Sequence, residues 1–278
     1  MDSSDDTLLP QAHQEGMMTM GEHLDVLRRM LIRIVIVVIV LATAVFCCKE
    51  WTFKMLLAPG SSDFVTYTAI ERLCRVIGWK FHFEPFRLTL INTELSSQFI
   101  THLTTSIYLG LLGASPVVIV ELMRFIMPAL YDNERRYSYV VATAVYGLFV
   151  AGVLMSYYIL FPFACRFLGT YQVDESVLNQ INVGSYISTF TTLTFMMGIV
   201  FQIPVIAFVL GKMGVIDAEL MTRYRRHAAL LVMTVAAIIT PPDLMTLILV
   251  AAPMYGLYEL SVVIVRRVSP TPEDLIDT

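Results

Sequence analysis

Residues 116–136, PVVIVELMRFIMPALYDNERR, gather two glutamates and three arginines around Phe125, Pro128 and Tyr131. Glu121 lies inside an apolar run with Arg124 three residues on, whereas Glu134, Arg135 and Arg136 stand in the charged turn that follows. Carboxylates at the edge of an apolar segment suit recognition of a cation, because a guanidinium presents a fork of N–H donors that one carboxylate accepts two at a time. Two readings of Glu121 stand: a local ion pair with Arg124 at helical i,i+3 spacing, or a ligand for an external cation. Glu134, taken alone, reads as an ordinary solvated charge.

A second polar spot is Gln202, inside another apolar run and just before Pro204. An uncharged amide at membrane depth needs a partner or water, so it is either an interhelical hydrogen bond or a functional group. Pro204 also has no N–H to give the carbonyl of Val200. Glu259, in the last apolar run, is within reach of Arg266.

Covalent chemistry finds no support. No GxSxG, HExxH, Walker loop or CxxC pair occurs, and His13, His23, His82, His102 and His227 are scattered over tails, loops and helix ends. His102 reads as a solvated boundary residue. Cys47, Cys48, Cys74 and Cys165 match no metal spacing and no disulfide framework, so they read as apolar filler, with a bridge from Cys74 to Cys47 or Cys48 left open. The expectation is a protein with no enzymatic activity, no metal and no cofactor.

The elements that must position these residues are membrane spans. Of 278 residues 56% are hydrophobic and 15% charged, and mean hydropathy is +0.69, far from soluble usage of roughly a quarter charged. Apolar runs at about 30–48, 99–123, 139–165, 187–211, 228–239 and 247–265 predict six helices. Four have the roughly 20 residues that a bilayer needs. The fifth has only twelve apolar residues before Thr240-Pro241-Pro242-Asp243 stops it, and the sixth is interrupted by Pro253 and Gly256. The fold class is thus an all-α membrane protein: six transmembrane helices in a curved, concave bundle, with short helices five and six. Small residues at Gly110, Gly113, Ala114 and Ser115, and at Gly147, Ala151 and Gly152, favour close helix contacts.

Residues 1–22 read as a polar N-terminal tail, 23–267 as the transmembrane domain, and 268–278 as an acidic disordered tail. The outer loop 49–98 reads as an ordered cap, with β-prone stretches at 64–68 and 86–91 and a short helix over 69–77. Twelve of the nineteen Lys and Arg residues fall at one set of helix ends. The charge rule places that set, and both termini, in the cytoplasm. Net charge is -4 with much of the acid in the tails, which does not suggest nucleic-acid binding.

Together these stretches resemble the TatC family, the multispanning receptor and core subunit of the twin-arginine protein translocase. The resemblance runs through His23-Leu24-Asp25-Val26-Leu27-Arg28-Arg29, Ala58-Pro59, Ser115-Pro116, residues 125–131 (FIMPALY), Glu134-Arg135-Arg136, Phe161-Pro162, residues 201–205 (FQIPV), Thr240-Pro241-Pro242-Asp243 and Pro253-Met254-Tyr255 with Glu259. It implies an inner-membrane protein that binds Arg-Arg signal peptides and helps move folded proteins using the proton-motive force. It implies partners of the single-span TatA/TatB type, self-association and the lipid bilayer. By position, Glu134 would hold the arginines, with Phe125, Glu121, Arg135, Asp25 and the Arg28 region beside it. Gln202 would be the intramembrane polar site, and Thr240 and Asp243 would meet a partner helix. Two departures stand out: Val26 replaces a second acid, leaving Asp25 or Glu22 to substitute, and Gln202 replaces an acid. The competing function class is a secondary transporter of a small solute, which calls for internal repeats and a charged midplane site; neither is visible.

Overall fold

A computed structural model describes residues 20–268, apart from 80–81, 87, 127–134, 173, 175 and 177–178. Helices dominate because a chain in hydrocarbon must close its backbone hydrogen bonds within itself. The first span is α1 (Met20–Cys47) and the second is α4 (Ser97–Ile126). The third runs from α5 (Arg135–Met155) through a π-helical turn, Ser156–Leu160, into α6 (Phe161–Thr170). The fourth is α7 (Val183–Val200) followed by α8 (Ile203–Lys212). After the short α9 (Ala218–Arg223) come α10 (Arg225–Ile239) and α11 (Leu244–Val268).

Five of these crossings are long and apolar enough to span a bilayer. The exception is α10, whose 15 residues rise about 22 Å against a hydrocarbon core of about 30 Å. It begins one turn earlier than the apolar run suggested, and still ends at Thr240 before the Pro-Pro step. The sixth helix is not short. It has 25 residues, since Pro253 is absorbed within the helix, as Pro116 is in α4.

Between α1 and α4 the chain builds a cap from α2 (Lys49–Leu57), a 3₁₀ turn at Ala58–Gly60 and α3 (Val65–Val76). The β-prone stretch 64–68 is therefore helical: its aromatic and branched side chains are used for packing against the bundle, which outweighs strand propensity. Strand structure survives only as β1 (Leu90–Ile91), paired parallel with β2 (Ile181–Asn182). Three tyrosine hydroxyls bolt cap to bundle: Tyr67 donates to the Pro162 carbonyl at 2.6 Å, Tyr157 to Met55 at 2.9 Å and Tyr186 to Leu56 at 3.0 Å. Arg166 stacks on the rings of Phe83 and Phe86, 4.6 and 4.9 Å from their centroids. His102 is half-buried, not a freely solvated boundary residue. Its ring stacks on Phe46 of α1 at 4.1 Å and meets Phe53 of α2 edge-on at 5.6 Å. All four cysteines are free thiols, so no Cys74 bridge forms.

Small residues set the helix spacing unequally. A Cβ on Gly110 would lie 2.7 Å from the Ala42 backbone nitrogen, so α1 and α4 touch there backbone to backbone. Gly152 meets the Met197 carbonyl at 2.5 Å in the same sense, joining α5 to α7, whereas Gly147 faces open space.

Candidate functional site

Beyond the Gly110 contact, α1 and α4 run on to the end of the bundle that carries Arg28, Arg29, Arg33 and Arg124. Here Arg33 crosses from α1 to Glu121 on α4, its Nη1 donating to both carboxylate oxygens at 3.1 and 3.4 Å. Arg124 adds a third contact, Nη1 to Glu121 Oε1 at 3.3 Å. The local pair read from the i,i+3 spacing is thus present, but it is the lesser half of a two-helix network. Glu121 is only 9% exposed, while the Arg33 and Arg124 side chains are 59% and 68% exposed. A buried carboxylate is held by two cations that reach it from outside.

A groove of about 390 Å³ lies between α4, α5 and the α7–α8 span, lined by Leu122 and Met123 on α4 and by Gln202. Its walls include Ser115, Ile119, Val145 and Phe149. Gln202 sits at the break between α7 and α8, where the chain leaves Val200 with no N–H to receive from Pro204. Its Nε2 donates to the Val145 carbonyl at 3.1 Å and to that of Gly198 at 3.4 Å. Its Oε1 is buried with no hydrogen-bond partner among the described residues. One half of the amide makes the interhelical bond; the other half is unused.

The remaining residues singled out in the sequence are dispersed around this axis. Asp25 and Arg28 are exposed on the first turns of α1, and Asp25 has no ion-pair partner among the described residues. Phe125 is half-buried near the end of α4. Arg135 opens α5, and Glu134 lies outside the described residues. Thr240 is buried and donates to the Ala236 carbonyl of its own helix at 2.9 Å. Asp243 caps α11 by accepting from the Thr246 N–H at 2.7 Å and from its hydroxyl. In this structure both residues serve the α10–α11 turn.

Two partnerships escaped the sequence. Glu259 bonds Arg225 on α10 at 2.8 Å and accepts from Tyr255 at 3.0 Å, instead of turning to Arg266. Arg33 counted only as a topological charge, and nothing in its spacing from Glu121, 88 residues away, announces a contact. The available hint was a lone basic residue already inside an apolar helix, where an unpartnered charge is expensive.

Spans of this number and length, with a capped end, a basic end and an apolar groove between helices, define a multi-pass helical membrane protein. Residues 22–253 match the family described as Sec-independent protein translocase protein (TatC), and the chain belongs to that family. It is 31% identical over 261 residues to the Sec-independent protein translocase protein TatC of Blattabacterium sp. subsp. Periplaneta americana, covering 92% of this chain and 98% of that one. It is 30% identical to the TatC of Carboxydothermus hydrogenoformans, covering 91% and 95%. A crystal structure of a twin-arginine translocase receptor, TatC, matches with TM-score 0.70 at 28% identity over 89% of this chain and 99% of that chain.

Proposed function

We propose that the chain is the signal-peptide receptor and core of a twin-arginine translocase. Its basic end takes up the Arg-Arg pair of a signal peptide, and the apolar part of that peptide lies in the groove toward Gln202. The observation that carries this reading is Glu121: a shielded carboxylate at the basic end of α4, next in sequence to Leu122 of the apolar groove, with Asp25 and Arg28 exposed on the first turns of α1. Apolar walls with few polar groups suit a peptide helix that needs one polar anchor and one greasy track. The short α10 and the α10–α11 turn at Thr240 and Asp243 offer a thinned flank for single-span TatA/TatB-type partners, with self-association of the chain alongside. The basic end and both termini are cytoplasmic, since twelve of nineteen Lys and Arg residues lie at those helix ends, and the proton-motive force drives folded cargo across. No step of this scheme needs covalent chemistry.

Binding of fluorescent signal peptides to the full chain in nanodiscs tests it. Arg-Arg peptide binds tighter than its Lys-Lys counterpart, because only the guanidinium fork pairs with a carboxylate through parallel bonds, and Glu134→Ala and Glu121→Ala each weaken the Arg-Arg peptide. Equal binding of the two peptides, unchanged by either substitution, overturns the reading.

A further inference from the structure

We infer that Arg33 is an internal stand-in for the arriving guanidinium, so that a signal peptide docks at Glu121 by exchange of one arginine for another. The inference rests on the receptor function proposed above and names how its carboxylate is kept when no peptide is present.

The need for a stand-in follows from burial. The Glu121 side chain is 11% exposed on a helix of apolar neighbours, and a carboxylate left unpaired there is strongly unfavourable. Something must hold it while no peptide is bound. The Arg33 contact suits a temporary holder in three respects. Arg33 engages through one nitrogen, Nη1, which splits its donation between both oxygens at 3.1 and 3.4 Å. That leaves the stronger arrangement, two nitrogens on two oxygens, open to a guanidinium approaching from another direction. Arg33 is also 59% exposed, on a stretch of α1 where Ile32 and Ile36 are exposed as well, so on release its long stem extends along the apolar surface and carries the charge to the lipid–water border. Finally, Arg124 keeps its own 3.3 Å contact, so Glu121 is not bare while Arg33 leaves.

Competition of this kind sets the affinity. Every peptide cation must displace the guanidinium already in place, and the cost of releasing Arg33 is the same whichever cation arrives. Arg33 therefore lowers the affinity for every peptide cation by one common factor, while the preference for arginine over lysine rests on the fork that pairs with the carboxylate.

The experiment compares wild type, Arg33→Ala, Arg33→Lys and the double variant Arg33→Ala/Glu121→Gln, all as full chains in nanodiscs, with Arg-Arg and Lys-Lys signal peptides. Removing one charge-assisted competitor should raise Arg-Arg affinity roughly tenfold and Lys-Lys affinity by the same factor, leaving the ratio between them unchanged. Arg33→Lys should fall between wild type and Arg33→Ala for both peptides, which also carries the comparison should the alanine variant fail to fold. The double variant should lose the gain. Selective binding by wild type with no tightening in Arg33→Ala or Arg33→Lys overturns the exchange while leaving the receptor function intact. Absence of Arg-Arg binding in every variant overturns both.

Discussion

Gly152 gives the sharpest test of how this bundle is held together. A methyl group placed there lies 2.5 Å from the Met197 carbonyl oxygen and 2.9 Å from Phe201 Cγ. Ordinary contact for a Cβ begins near 3.4 Å, so Gly152→Ala requires α5 and α7 to part by about 0.9 Å, and the nearest atom is backbone that has no rotamer to escape into. Overpacking of this kind costs about 1–3 kcal/mol. The strain spreads along the same seam, since Phe149 already sits 2.6 Å from where a Cβ on Gly198 would be and Gln202 bonds Val145 a little further on. Gly147→Ala is the matched control. It lies on the same helix, has nothing within 4 Å, and should be neutral or stabilising by about 0.5–1 kcal/mol through the lower backbone entropy of alanine. Thermal unfolding of the purified chain in detergent, followed by near-ultraviolet circular dichroism, should show a lowered midpoint for Gly152→Ala and none for Gly147→Ala. Equal midpoints for the two variants, or a loss only at Gly147, would refute the reasoning that close backbone approach, and not glycine content, sets the α5–α7 spacing.

Asp243→Ala should lower the midpoint by removing the cap on α11, worth about 1 kcal/mol, while Asp243→Asn retains most of it because the amide oxygen still accepts from the Thr246 N–H. Tyr67→Phe should loosen the cap by about 1–3 kcal/mol, since it leaves the Pro162 carbonyl without its buried donor; faster proteolysis of the α2–α3 region reads this out. Alkaline pH should loosen the same contact. Burial, and then the nearby Cys165, raise the Tyr67 phenol above its ordinary value, against the opposing pull of Arg166. Its contribution is therefore whole below about pH 10 and is lost as pH rises further, because the unfolded phenol gives up its proton first. Thermal midpoints across that window should fall less steeply in Tyr67→Phe than in wild type.

The spans themselves were legible because hydrocarbon imposes one demand on every residue of a crossing helix, and a run of apolar side chains records it residue by residue. Proline stops record themselves too: the Thr240-Pro241-Pro242-Asp243 step ended α10 where it stood in the sequence, as Pro204 parted α7 from α8. Turn-sized features at the ends were less faithful, since α10 gained a turn of charged residues at Arg225 and α11 ran through Pro253. In the cap local propensity and tertiary packing disagree, and residues 65–68 are helical because Tyr67 and the N-cap residue Phe64 pack into the bundle's aromatic core.

The amino-acid sequence alone determined that the chain crosses a membrane several times, which set of helix ends is basic, and that a carboxylate sits at the margin of an apolar run, because each of these is a property of neighbours along the chain. Only the tertiary structure decided that Glu121 answers to Arg33, that Glu259 answers to Arg225, that Gln202 faces a cleft, and that Gly152 is crowded while Gly147 is free. Those are facts of distance between helices far apart in sequence, and the apolar pattern that commits each helix to the bilayer constrains neither its rotation nor its partner.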